Sequence, residues 1–128
     1  MDDSLLVDWD VFCRARAELG AGFARILIYF REDGDKAVAR MEEAMHRNDA
    51  AGLVLPAHTM KSEARQFGAE PLGALAEEIE TGARRAVEMR TAPDELVPQV
   101  ARLRPLYAET MALLEAEANP LRRRRAPA

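Results

Sequence analysis

The chain of 128 residues has room for one domain with a substantial hydrophobic core, but not for two ordinary domains. Apolar residues make up 48% of it and aromatic residues only 5%, which predicts a helical fold with an aliphatic and methionine core rather than stacked rings. Four of the 18 basic residues are Arg122 to Arg125, so the rest of the chain has 14 basic and 22 acidic residues. This acidic balance argues against a nucleic-acid-binding domain, which needs a basic face.

Cysteine usage and the start of the chain bear on the cellular compartment. The single cysteine, Cys13, cannot form an intrachain disulfide, and no Cys/His spacing supplies the ligands of a zinc site. The opening residues Met1-Asp2-Asp3 are acidic where a secretory signal is basic, and the longest apolar runs are shorter than a membrane span. We therefore expect a cytoplasmic protein with no membrane span and no bound metal.

Apolar residues recur three and four positions apart, and no stretch of strand length alternates clearly, so an all-α fold is predicted. A short first helix should follow Asp8, a good N-cap, and end at Gly20. It should cover one end of the fold by burying Val11, Phe12 and Ala15. The clearest helix runs from about residue 21 to 47 on the stripe Phe23, Leu27, Phe30, Gly34, Ala37/Val38, Met41 and Met45.

A third helix carries the residues of greatest chemical interest. Asn48-Asp49 predicts a turn and an N-cap, and the helix should run to about Phe67, where Gly68 supplies a left-handed terminating residue. Pro56 lies inside this segment and removes a backbone hydrogen bond, so we expect either a bend or a late helix start there.

Two further helices complete the predicted fold. Pro71 opens the fourth, which ends near Arg90, and the fifth follows Pro93 and is interrupted by Pro98 and Pro105. Their predicted buried stripes are Leu72, Leu75, Ala76, Ile79, Ala83 and Val87 in the fourth, and Leu96, Val100, Leu103, Tyr107, Met111 and Leu114 in the fifth. Short connections favour an antiparallel up-down-up-down four-helix bundle with a short additional N-terminal helix. We assign residues 1–119 to this bundle and residues 120–128 to a disordered basic tail.

The segment from His58 to Ala69 carries the functional signal. On a helix, its apolar residues form one stripe that must face the core, and His58 lies about a third of a turn away from that stripe. The same-side neighbours of His58 are then Lys61, Ser62 and Arg65, at spacings of three, four and seven residues.

This arrangement places an imidazole beside a small residue and two cations. A neutral imidazole nitrogen is a good nucleophile near neutral pH. Lys61 and Arg65 could offset the charge of roughly −2 of a phosphoryl group attached to His58. Ser62 is short and leaves space for the active site of another protein to approach.

The pattern His-Thr-Met-Lys-Ser-x-Ala-x-x-Phe-Gly-Ala at residues 58–69 resembles the histidine phosphotransfer (HPt) domain family, whose signature centres on His-x-Leu-Lys-Gly. Leu72, Leu75 and the run Glu78 to Glu80 extend the resemblance, which covers the bundle from about Phe23 to Leu114. It implies that His58 is the phosphorylated residue and that Lys61 assists near the phosphoryl group. It also implies that Gly68 closes the histidine-bearing helix.

The resemblance further implies a carrier protein that relays a phosphoryl group between response-regulator aspartates in a bacterial phosphorelay. Its partners would be receiver domains and an upstream hybrid or other histidine kinase. No cofactor is expected, because magnesium would come with the acidic pocket of the receiver partner. The sequence has no phosphate-cradling Gly-rich loop and no kinase motif, so we expect a carrier rather than an enzyme that binds ATP. We also expect a monomer.

Two departures from the family pattern concern partner binding. Ser62 replaces the usual glycine, and Glu63 occupies a position that is commonly small. We assign Ser62, Glu63 and Gly68 to the partner-binding surface. Glu63 also supports an alternative, namely an adaptor that binds a receiver domain without carrying phosphate.

The remaining polar residues receive ordinary structural interpretations. His46 is a cation favourable to a helix C-terminus, and two histidines on different helices make a weak metal case. A solvated face with weak helical ion pairs accounts for Glu77, Glu78, Glu80, Arg84 and Arg85. Recruitment of an acidic partner or an anionic lipid by Arg122 to Arg125 is no better supported than simple solubilisation.

Overall fold

The computed structural model describes residues 5–121, which form five α-helices and two short 3₁₀ turns. The helices are α1 (Trp9–Leu19), α2 (Phe23–His46), α3 (Ala50–Gln66), α4 (Glu70–Met89) and α5 (Val97–Ala118). The 3₁₀ turns are Gly20–Gly22 and Asp94–Leu96. Within the described range no β-strand occurs, so the predicted all-α class is confirmed.

Helices α2 to α5 form the bundle. Helix α2 packs against α3 and α5, and α4 packs against the same two helices, which closes a ring of four around one core. Only three residues separate α2 from α3 and α3 from α4, so these neighbours run antiparallel. The predicted four-helix bundle is confirmed, and α1 lies over the end where α2 begins and α3 finishes. The backbone N–H of Asp8 donates to the carbonyl of Gly68 there.

The helix boundaries follow from their capping residues. The side chains of Asp8 and Asp49 accept hydrogen bonds from the first backbone N–H groups of α1 and α3, as predicted. Gly68 has a φ of +82°, which confirms the predicted left-handed end of α3. Helix α3 begins at Ala50, directly after its N-cap Asp49, so of the two alternatives expected at Pro56 the late helix start is excluded, and the proline lies inside the helix. Pro98 interrupts no helical bond, since it lies in the first turn of α5.

The core contains more aromatic contact than the composition suggested. Six of the seven aromatic residues form a continuous series of ring contacts with centroid separations of 5.2 to 6.2 Å. The series runs through Trp9, Phe12, Phe23, Phe67, Phe30 and Tyr107. The expectation of a core without stacked rings is therefore wrong, because Phe30 and Phe67 stack with an interplanar angle of 9°.

Most of the predicted stripes are buried, with a few local differences. Val11 and Ala15 of α1 are only partly buried, whereas Phe12 and Cys13 are buried fully. On α4, Val87 is exposed, while Ala86 and the carboxylate residue Glu80 are buried instead. The buried face of α4 is thus rotated slightly from the predicted stripe, and this rotation brings a charged residue into the α3–α4 interface.

Candidate functional site

His58 lies midway along α3 with half of its side chain exposed, at 51%. Its neighbours Ala57 and Met60 are buried in the core, as the helical stripe predicts. The imidazole therefore lies at the surface of the bundle, and its orientation depends on the few side chains around it. The helical spacing around His58 predicted this surface position.

The ring is held by Glu80, a residue that the sequence analysis did not assign to the site. Nδ1 of His58 lies 3.0 Å from Oε2 of Glu80, whose side chain is only 7% exposed. Glu80 is four residues after Ala76 and three before Ala83, both fully buried, so its spacing already placed it beside the apolar stripe. Its interpretation as a solvated surface residue is wrong.

Two cations compensate the buried charge of Glu80. Nζ of Lys61 lies 2.7 Å from Oε1, and the guanidinium of Arg84 donates to Oε2 through Nε at 3.1 Å and Nη2 at 2.9 Å. Burial alone raises the pKa of Glu80, but Lys61, Arg84 and His58 together lower it to about 2. Glu80 is therefore a carboxylate at neutral pH. Arg84 donates two hydrogen bonds to it, which is more than the weak helical ion pair that was expected.

An ionised Glu80 determines the tautomer of His58. A carboxylate can only accept hydrogen bonds, so Nδ1 must carry the proton that it donates to Oε2. In a neutral imidazole the other nitrogen, Nε2, then has no proton and keeps its lone pair. The contact with Glu80 thus makes Nε2 the nucleophilic atom.

Arg65 lies in a different charge environment from His58. Its guanidinium donates to Glu70 at 3.2 Å and to Glu77 at 3.0 Å, both on α4. Its aliphatic stem lies over Gly73, where a Cβ would be 2.9 Å from Cγ of Arg65. The structure therefore brings Lys61 to the carboxylate that holds His58, and it brings Arg65 to two other carboxylates. The assignment of Arg65 to the phosphoryl group stays a prediction.

The predicted partner-binding residues differ in exposure. Ser62 is exposed one turn after His58, whereas Gly68 is buried beneath the start of α1. A Cβ at Gly68 would lie 2.5 Å from the backbone oxygen of Asp8. The role of Gly68 in partner binding stays a prediction that this burial does not favour. The Arg122 to Arg125 cluster lies outside the described residues.

Comparisons with known proteins place this site in a family. The family model described as Hpt domain matches residues 25–119, about three quarters of the chain and including His58, Lys61 and Glu80. The chain belongs to the Hpt domain family. A search of curated proteins found no match to this Hpt domain. Within residues 5–121, none of its helices is both long and apolar enough to cross a membrane.

The fold of this Hpt domain also resembles a solved structure. The crystal structure of histidine-containing phosphotransfer protein B from Pseudomonas aeruginosa PAO1 matches it with a TM-score of 0.77. The alignment covers 91% of this chain and 97% of that chain at 23% sequence identity. At this identity the likeness supports the helical fold, and the details of the site depend on the side-chain contacts described above.

Glu63 is the departure from the family pattern with the clearest electrostatic consequence in this Hpt domain. Burial, with a smaller effect from the negative charge of Asp33 on α2, raises the pKa of Glu63 from 4.5 to about 7. Between about pH 4.5 and 7, Glu63 is therefore protonated in the folded protein but ionised in the unfolded chain. Stability must fall as the pH rises through this range.

We expect Glu63→Gln to remove this pH dependence. The variant should be more stable than the wild type by about 1 kcal/mol at pH 8, a value discounted for the partial exposure of Glu63, and nearly equal to it at pH 4. Urea unfolding at the two pH values measures the difference. Glu109→Gln, at an exposed position of α5, is the matched control. A stability difference between Glu63→Gln and wild type that is the same at both pH values would contradict the assignment.

Proposed function

We propose that this Hpt domain carries a phosphoryl group on Nε2 of His58 and relays it between response-regulator aspartates. The observation that carries the proposal is the half-exposed imidazole whose Nδ1–H is bonded to an ionised, buried Glu80. Family membership supports the same function, because Hpt domains are phosphotransfer carriers rather than enzymes.

The proposed transfer exchanges one bond to phosphorus for another. The Nε2 lone pair attacks the phosphorus of an aspartyl phosphate, the P–N bond forms, and the P–O bond breaks to return the aspartate carboxylate. Nδ1 keeps its proton throughout, so the phosphorylated ring carries a positive charge. Glu80 stabilises this charge through its contact with Nδ1, and the reverse steps donate the phosphoryl group to a second receiver.

The partner supplies the rest of the proposed chemistry. Receiver domains and an upstream histidine kinase are the proposed partners, and magnesium is proposed to enter with the receiver, with no cofactor bound by this chain. We propose a monomer that acts in the cytoplasm, as the sequence analysis predicts, and that neither binds ATP nor phosphorylates itself.

The surface beside His58 suits a docking partner. Leu55, one turn before His58 on α3, is 70% exposed. An open groove between α3 and α4 lies nearby and is lined by Ala51, Val54, Arg84, Val87 and Glu88. A receiver that covers these apolar side chains would exclude water from the transferring phosphoryl group, which strengthens the electrostatic contacts there.

Transfer from a phosphorylated receiver domain tests the proposal. Incubation with a ³²P-labelled receiver should move label to this chain, and the label should be lost in acid, as expected for a phosphoramidate bond. His58→Gln should abolish labelling completely while leaving the helical circular dichroism spectrum unchanged. His46→Gln, at an exposed position at the end of α2, should label like the wild type.

The adaptor alternative predicts a different result from the same experiment. An adaptor would bind a receiver with the same affinity before and after the His58→Gln substitution, and no receiver from the same cell would transfer label to it. That result would reject the carrier function. Label on the wild type that is retained in His58→Gln would reject the assignment of His58.

A further inference from the structure

Glu63 lies where α3 meets α2, close to the imidazole that is proposed to carry the phosphoryl group. It follows the exposed Ser62 and is five residues after His58, or about 7.5 Å further along the helix axis. Its side chain is partly buried, and the negative charge of Asp33 on α2 acts on it. Glu63 therefore belongs to the surface around His58 and not to the core.

The charge of Glu63 has no cation to compensate it within residues 5–121, where no lysine, arginine or histidine forms an ion pair with its carboxylate. Glu80, on the other side of His58, is the opposite case, because Lys61 and Arg84 both bind its carboxylate. The pKa values follow this difference, since that of Glu63 is raised to about 7 and that of Glu80 is lowered to about 2. The chain supplies the cations for one carboxylate and not for the other.

The other residues around Glu63 do not change this balance. On α2, Lys36 follows Asp33 by three residues and shares its exposed side of the helix. In the described part of the chain, Lys36 does not lie within ion-pair distance of Glu63. On α3, the same-side neighbours of Glu63 are Thr59 and Gln66, which carry no charge. The boundary between α2 and α3 therefore presents two neighbouring carboxylates.

A receiver that docks on His58 must cover these carboxylates. Even at the lower end of the standard size, a protein–protein interface buries about 600 Å² on each partner, which corresponds to a patch with a radius of about 14 Å. Glu63 lies only about 7.5 Å from His58 along the axis of α3, inside such a patch. Docking therefore removes water from Glu63 and from the exposed Asp33 beside it.

The loss of water decides what the partner must bring to this place. A carboxylate that loses its water must either bind a proton or pair with a cation. A single proton would neutralise Glu63 but leave Asp33 covered and charged. A lysine or arginine of the receiver can bind both carboxylates together, since its ammonium or guanidinium group has several N–H donors. The two carboxylates therefore fit a basic side chain better than a neutral one.

We propose that Glu63 is a specificity-determining residue of this Hpt domain, which pairs with a lysine or arginine that the receiver brings to the boundary of α2 and α3, with Asp33 as the second carboxylate. The inference rests on the proposed function, because it needs a receiver docked on His58. A receiver with an acidic side chain at this place is repelled, so the contact selects among partners as well as attracting one. Glu63 acts on docking and does not touch the reacting atoms.

Transfer kinetics with a phosphorylated receiver that labels the wild type test the inference. The KM for this receiver reports docking, and the rate at saturation reports the chemistry at His58. We expect Glu63→Gln to raise KM about tenfold at pH 8, with a much smaller effect on the rate at saturation. Asp33→Asn should also raise KM. Glu32→Gln, at the exposed position of α2 next to Asp33, is the matched control and should keep the wild-type KM.

The pH dependence of KM separates a cation from a proton at Glu63. Because the pKa of Glu63 is about 7 in the free domain, pairing with a cation requires loss of a proton at lower pH. The advantage of the wild type over Glu63→Gln should therefore shrink from about tenfold at pH 8 to about twofold at pH 6. Both proteins share the titration of His58, so comparing them at each pH removes its effect. A wild type that binds more weakly than Glu63→Gln at pH 8 would show that docking buries a bare carboxylate, and would overturn the inference.

The same experiment distinguishes failure of the inference from failure of the proposed function. Equal KM values for the wild type and Glu63→Gln at both pH values, with label on His58 in both proteins, would reject the role of Glu63 and leave the carrier function in place. A wild-type chain that takes no label from any receiver of the same cell, and none from the small phosphoryl donor phosphoramidate, would reject the carrier function and the inference with it.

Discussion

Glu80→Gln should slow phosphoryl transfer to His58 by roughly ten- to a hundredfold, because Glu80 both selects the tautomer of the ring and stabilises its charge. The phosphorylated imidazole is positive with Nδ1–H directed at Oε2, 3.0 Å away. A neutral amide in place of the carboxylate loses the charge interaction in the transition state and leaves Lys61 and Arg84 without their shared counterion.

The tautomer makes a separate contribution to the expected loss. A glutamine side chain can donate as well as accept, so its amide group can bind an unprotonated Nδ1. The proton then lies on Nε2, and the nucleophilic lone pair points into the α3–α4 interface instead of towards a partner. Since the pKa of Glu80 is lowered to about 2, its carboxylate disfavours the tautomer with the proton on Nε2 over the whole physiological pH range.

Rate and tautomer can be measured on the same variant. Transfer from a phosphorylated receiver gives the rate, and ¹⁵N chemical shifts of the imidazole show which nitrogen carries the proton. Glu78→Gln is the matched control, since Glu78 is exposed on the same helix two residues away. A transfer rate in Glu80→Gln equal to that of Glu78→Gln, with an unchanged ¹⁵N spectrum, would show that Glu80 does not position His58.

The fold was predictable because its signals are local. Helical spacing of apolar residues, the N-caps Asp8 and Asp49 and the left-handed Gly68 each act within a few residues, and each has the predicted effect. The aromatic contacts were not predictable, since Phe30 and Phe67 stack across two helices whose relative rotation the sequence does not state. The exposure of Val87 has the same origin, because the rotation of α4 depends on packing against α3.

In the candidate site, too, the contacts within one helix were predictable and those between helices were not. His58 and Lys61 lie within one turn of α3, and their spacing alone predicts a common face. Glu80 was missed because a glutamate is buried only when partners compensate its charge, and two of its partners, His58 and Lys61, come from α3 across the interface. Only the third, Arg84, lies one turn later on α4 itself. The spacing of Glu80 from the buried Ala76 and Ala83 was the available signal for burial, but its charge favoured a position on the surface.

Gly34 shows how a local prediction becomes specific once the packing is known. Its spacing predicts that this glycine lies on the buried stripe of α2, and the helix runs without interruption from Phe23 to His46. A Cβ at Gly34 would lie 2.5 Å from both Cε1 and Oη of Tyr107 on α5. The glycine therefore serves the contact between α2 and α5, since it leaves room for the Tyr107 ring and for the bond from its hydroxyl to the carbonyl of Arg31.

We accordingly expect Gly34→Ala to lower the free energy of unfolding by about 2 kcal/mol, although alanine is the better helix former by about 1 kcal/mol. The added methyl must displace Tyr107, which breaks its bond to Arg31 and disturbs its edge contact with Phe30. Urea unfolding measures the loss. Gly22→Ala, where no atom lies within 4 Å of a new Cβ, should change stability by less than about 0.5 kcal/mol.

A double-mutant cycle identifies the clash as the cause of that loss. In a Tyr107→Leu background the ring is absent, so Gly34→Ala should cost far less than it does in the wild type, or even stabilise α2 through its helix propensity. An equal cost in both backgrounds would mean that the backbone of α2, and not the approach of α5, requires glycine at this position. The coupling energy thus measures how closely the two helices pack on the side of the bundle away from His58.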